Sequence, residues 1–164
     1  YSGNASGLKR IEFPEDMPLE GRFQACKVEI KSERSFPAWE SVYIDELKLT
    51  EEEQDAYFDF CEEQNEDSII NKILGHPDQI QGDMQLECQL VSNGLYCGDA
   101  SGYNDPKRQE LEKGMKDWGL LLQIDSDENS GMMWGDVGRL YFWIKADDLA
   151  EKRFDKVWMN LQCS

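Results

Sequence analysis

Two dense apolar runs in the C-terminal half of the chain repeat with a period of two. At residues 120–124, Leu120, Leu122 and Ile124 fall on one side and Leu121 and Gln123 on the other. At residues 140–144, Leu140, Phe142 and Ile144 alternate with Tyr141 and Trp143. That period belongs to the pleated chain, and both runs are too short for independent helices, so each predicts a strand. An antiparallel pair is expected, joined by a loop over residues 126–138 that is longer than a tight hairpin turn. The rest of the chain is expected to be arranged around this pair.

Residues 1–22 are rich in Gly, Ser and Pro and show no sustained period, which predicts an irregular arm. Residues 23–31 alternate Cys26, Val28 and Ile30 against Lys27, Glu29 and Lys31 and predict a strand; a second is expected at residues 41–47 through Val42 and Ile44. Thr50 followed by Glu53 is a capping box, with Glu51 and Glu52 at the positive end of the helix dipole, so a helix is predicted to about Asn65. Residues 67–74 fit a short helical turn or a strand equally well. After a turn-rich loop over residues 75–82, Asp83 caps a predicted helix that stops at Asn93 and Gly94.

Residues 95–104 read as a loop, and Asp105 with Pro106 opens a further helix. A short helix from Ala146 to about Arg153 and a closing strand within residues 154–163 complete the pattern. Strands and helices intermix without a repeating βαβ order. The expected class is therefore α+β, a mainly antiparallel sheet with several short helices, forming one domain over residues 23–164 behind the arm.

Charge narrows the partners. The chain carries 34 acidic against 17 basic residues, a formal charge of -17. A nucleic-acid backbone or an anionic membrane surface needs a basic footprint, so neither is an expected partner; a basic protein or cations are. Five cysteines without a CxxC pair, and no secretory apolar segment, predict reduced thiols in the cytoplasm. The chain opens on Tyr1, which is expected of the C-terminal part of a longer protein.

The sharpest chemical pattern lies in the long loop. Asp125, Asp127 and Asn129 alternate, and Asp136 follows eleven residues after Asp125. Oxygen donors at alternate positions closed by a later carboxylate suit a hard cation such as calcium, although the glycine and the last ligand depart from an EF-hand; the same residues also make ordinary solvated turns. Trp134, flanked by glycines in that loop, is a candidate contact residue, as are His76 and Gln79 in the 75–82 loop. His76 is the sole histidine, which excludes two-histidine zinc sites, and a Cys97–His76 nucleophile and base would be a chance pairing. No catalytic residues are assigned and no cofactor is expected beyond calcium.

Four separated blocks resemble a known family. Residues 71–81 (Asn-Lys-Ile-Leu-Gly-His-Pro-Asp-Gln-Ile-Gln), 120–127 (Leu-Leu-Leu-Gln-Ile-Asp-Ser-Asp), 133–138 (Met-Trp-Gly-Asp-Val-Gly) and 140–144 (Leu-Tyr-Phe-Trp-Ile) are similar, in this order, to the YwqG-like bacterial proteins. His76 stands where an aromatic such as Tyr is expected. The resemblance implies an α+β cytoplasmic domain of uncharacterised role, with no catalytic residues to carry over, and it brings an immunity or toxin-neutralising role into view.

Three functions are thus expected in order. The first is a protein-binding or regulatory module acting through residues 125–138 and 75–82. The second is a calcium-type site in the same long loop. The third is a hydrolase using Asp125, Asp127 and Asp136.

Overall fold

The computed structural model describes residues 9, 11–65 and 70–163. Its centre is a four-stranded antiparallel sheet in the order β1 (Lys72–Ile73), β2 (Trp118–Asp125), β3 (Arg139–Lys145) and β4 (Trp158–Gln162). Six α-helices accompany it among the described residues: α1 (Val42–Asp45), α2 (Glu51–Asn65), α3 (Gln85–Ser92), α4 (Ala100–Tyr103), α5 (Arg108–Leu111) and α6 (Ala146–Ala150). The α+β class holds, with a wholly antiparallel sheet.

The helix punctuation acts as expected. Thr50 and Glu53 bond reciprocally, the Thr50 amide donating to Glu53 Oε2 at 2.8 Å and the Glu53 amide to Thr50 Oγ1 at 3.4 Å. Asp83 accepts from the Gln85 amide at 2.8 Å. At the other end of α3, Gly94 takes φ 85°, and the Gly94 and Leu95 amides donate back to Val91 and Leu90.

Two expected strands are absent. Residues 23–31 are not in a strand, and Val28 and Ile30 stay 75% and 80% exposed. Their alternation is real, but a strand exists only where another edge accepts its hydrogen bonds, and this segment meets the β2–β3 loop, through Gln24 N–H to Ser130 O, Cys26 Sγ to Asn129 O and the Phe23 ring on Trp134. Residues 41–47 contain α1 (Val42–Asp45) and no strand. Ser41 accepts from the Tyr43 amide, and Asp83 Oδ2 accepts from the Val42 amide at 3.1 Å, so two side-chain oxygens satisfy the orphan donors of a helical start. Of the 95–104 loop, residues 100–103 wind into α4, capped by Asp99. The undecided stretch before Gly75 contains β1; residues 66–69 lie outside the described residues.

A bulge decides which side chains are buried. The β2–β3 register runs Leu120 to Trp143 and then Leu122 to Phe142, so Leu121 is the extra residue. Leu120 therefore shares one face with Trp118, Gln123, Tyr141 and Trp143, while Leu122 and Ile124 turn to the other, and the expected trio of Leu120, Leu122 and Ile124 is split. The first face is covered by α3. Met84 and Cys88 pack there on Trp118, Leu120, Tyr141 and Trp143 as the buried core.

The opposite face holds Ile73, Leu122, Ile124, Leu140, Phe142, Met159 and Leu161, with Ile144 and Gly119 at one end. No strand residue on it is polar. Ile144 is buried, yet Ile73, Met159 and Leu161 are 66%, 48% and 47% exposed, and the four between them are only half-buried.

Candidate functional site

The sheet's covered face is built to hold a loop. Gln123, wholly buried in the middle of β2, accepts from the Asp78 amide at 2.8 Å and donates to Asp78 Oδ2 at 2.8 Å and to Ile70 O. Gln162 in β4 accepts from the Ile80 and Gln81 amides at 2.8 and 3.0 Å and donates to Gly82 O at 2.9 Å. Each primary amide offers the donor and acceptor that a neighbouring strand would have offered, so residues 78–82 lie over the sheet without being part of it. Tyr141 Oη and Arg139 Nη1 both donate to Asp78 O, and Lys72 Nζ pairs with Asp78 Oδ1 at 2.7 Å. Burial pushes the Tyr141 phenol up to about 12, so the hydroxyl remains a donor at any physiological pH.

His76 and Gln79, the expected contact residues of this loop, face inward. The His76 amide donates to Ser35 Oγ, and its ring stands edge-on to Tyr43 at 5.7 Å. Burial, helped by the charge of Lys72, holds the imidazole below its ordinary value of 6.5. Gln79 reaches a cavity of about 50 Å³ beneath the loop, walled also by Ser41, Tyr43, Asp83 and the rings of Trp118 and Trp143. A second hollow of about 190 Å³ opens on its other side, between Lys72 and the Arg34 to Trp39 stretch.

The long β2–β3 loop is a further hairpin stage. Asp127 and Met132 form an antiparallel bridge closed by a turn at Gly131, where φ is 76°. Asp127 Oδ1 accepts from the backbone and side-chain nitrogens of Asn129 at 2.9 and 3.0 Å, and the backbone bond is the leading cause of its lowered carboxyl pKa. Asp125 is turned to its cross-strand partner: Arg139 Nε and Nη2 stand 3.2 Å from its two oxygens. Asp136 is exposed.

Trp134 is partly buried, its indole donating to Asp125 O at 3.1 Å and its ring meeting Phe23 edge-on at 5.1 Å. It pins the loop and does not stand free of it. Gly138 is required here, since a Cβ would collide with the carbonyl oxygens of Trp134 and Gln162.

Of the four oxygen-bearing residues, Asp125 is paired with Arg139, Asp127 with Asn129, and Asp136 is exposed, and among the described residues no group of three His, Cys, Asp or Glu side chains could hold a metal ion. Cys97 belongs with Tyr103 and Glu87, whereas His76 belongs with Tyr43. Periodicity passed over Gln123, Gln162, Arg139 and Tyr141, the residues that bind the 78–82 segment. The signal was present in Gln123, a primary amide inside Leu-Leu-Leu-Gln-Ile, where an apolar run has no use for one on its buried face unless it is bonded.

No helix of the described residues is long and apolar enough to cross a membrane. The chain matches the family described as a domain of unknown function (DUF1963) over residues 7–163 and belongs to it. No curated protein matches the chain.

Proposed function

We propose that this chain is a protein-binding module whose contact surface is the open apolar face of the sheet. The observation that carries this reading is that face itself: Leu122, Ile124, Leu140, Phe142, Met159 and Leu161 adjoin one another by strand register, none is polar, and β4 leaves its two nearly half exposed. Soluble chains seldom present so continuous an apolar surface unless something docks on it. Acidic side chains stand at both ends of the strands, Glu128 and Asp136 at the hairpin and Asp147 and Glu151 at α6, all exposed. With a net charge of -17, the chain repels its own copies and suits a partner with an apolar centre and a basic rim. Neutralising a basic toxin in a bacterial cytoplasm, which the likeness to YwqG-like proteins suggests, is one form this activity would take.

The test is site-specific photocrosslinking in the native host, with a benzoylphenylalanine at position 159 or 161 and a control at the exposed Glu110 on α5. Positions 159 and 161 are expected to capture one heterologous protein through an apolar segment flanked by Lys or Arg. Binding of that purified protein is expected to weaken with salt and to vanish with Leu161→Asp, while the melting midpoint of the variant stays unchanged. Capture of a second copy of the chain, the same products from position 110, or no product at all would refute the proposal.

A further inference from the structure

The small cavity under the 75–82 loop carries an inference independent of the sheet's open face. Trp143 lines it with only 3% of its surface exposed, and its indole N–H, which can only donate, has no acceptor among the described residues. Gln79 lines the same cavity, and its buried amide nitrogen is likewise unpaired. Native interiors leave few such donors unmet, and two around one hollow mark the place of an acceptor.

None of the other polar atoms of the wall bonds to either nitrogen. Asp83 already accepts from the Val42 and Gln85 amides through its two oxygens. Ser41 Oγ accepts from the Tyr43 amide, and Tyr43 Oη accepts from Gln85 Nε2. Both hydroxyls keep their protons to donate. The wall also offers Gln85 Oε1 and Gln79 Oε1, which accept no bond among the described residues, so an occupant that both accepts and donates is matched there.

Charge and shape narrow the occupant. An anion would meet the Asp83 carboxylate and the field of a chain at -17, while the nearby Lys72 is held by Asp78 at 2.7 Å. The His76 ring, kept below its ordinary pKa by burial, adds no positive charge at neutral pH. Flat rings of Trp118, Trp143 and Tyr43 favour a planar group, and about 50 Å³ is room for roughly three to five water-sized spheres, enough for the heavy atoms of a small primary amide.

We infer that this cavity binds the carbonyl end of a small neutral amide, with Trp143 Nε1 and Gln79 Nε2 both donating to its oxygen. The test follows the Trp143 indole N–H resonance in ¹⁵N-labelled protein, assigned through Trp143→Phe, during titration with acetamide and separately with acetate. Acetamide is expected to shift the resonance saturably and acetate to leave it in place. Gln79→Leu, a change in a loop side chain without recorded bonds, is expected to weaken the acetamide effect about tenfold, the worth of one hydrogen bond. If Trp143→Phe fails to fold, the resonance is assigned by through-bond correlation to the Trp143 backbone amide, and the Gln79→Leu comparison decides the matter. An unsaturable response to acetamide, an equal response to acetate, or no change with Gln79→Leu would overturn the inference and leave ordered water as the occupant.

Discussion

Replacing Gln123 by Met keeps the volume of a wholly buried side chain and removes its three hydrogen bonds, to the Asp78 amide, Asp78 Oδ2 and Ile70 O. Asp78 keeps Lys72 on its other oxygen, so its carboxylate is not abandoned. The Asp78 N–H and the Ile70 carbonyl are stranded, and each unmet backbone group costs about 1–3 kcal/mol, offset in part because the thioether is easier to desolvate than the amide. A net loss of about 3 kcal/mol is expected, or about 6–12 °C in melting temperature for a domain of this size. Equilibrium unfolding in urea should show a lower midpoint at an unchanged slope, because the buried surface is the same. Gln162→Met strands the Ile80 and Gln81 amides and should cost a similar amount. Since both amides hold one short segment, the double variant is expected to lose less than the sum. A loss below about 1 kcal/mol for Gln123→Met, or strict additivity in the double variant, would show that the 78–82 segment is not strapped down by these residues.

Other outcomes follow from single groups. His76 has its pKa lowered in the folded chain, so the unfolded state binds the extra proton first. Stability from this group is present above 6.5 and is lost as pH falls below it, and His76→Phe should flatten that limb of a stability profile. Glu87 has its pKa raised, first by burial, so its contribution runs the other way: stability is lost as pH rises above 4.5, and Glu87→Gln should raise the urea midpoint at pH 7. Millimolar calcium is expected to leave the melting temperature unchanged, because Asp125 is paired with Arg139 and Asp127 with Asn129; a rise of several degrees would show a metal site in the loop. Thiol labelling should reach the exposed Cys26 quickly and the buried Cys88, whose thiol is pushed up by burial, only on unfolding.

The sequence displayed most elements and concealed most of the site, for identifiable reasons. Caps at Thr50, Asp83 and Gly94 are local chemistry and were readable as such. Strand pairing is not local: residues 23–31 alternate as well as β4 does, but the alternation says nothing about whether an edge is free to receive them. The bulge at Leu121 was invisible for a related reason. A period of two is read by counting, and one uncounted residue moves every later side chain to the other face. That is why Leu122 and Ile124 read as companions of Leu120 and lie instead on the open side, and why Gln123 became the centre of the covered one. The indole bond of Trp134 to the Asp125 carbonyl was hidden as well, because it is set by the loop's closed form, which spacing does not reveal.

The inversion of the two faces has a thermodynamic consequence. Directional bonds from Gln123, Tyr141, Arg139 and Gln162 tie the covered face to the 78–82 segment, so the polar side of the sheet is covered by the chain itself. The open side bears apolar surface, which has no directional demand and is stabilised by whatever removes it from water. Any protein seated there binds the folded chain and not the unfolded one, and so raises its stability by about 2.7 kcal/mol at a hundredfold excess over the dissociation constant. A captured partner that leaves the unfolding midpoint unmoved at saturation cannot be resting on Phe142, Met159 and Leu161.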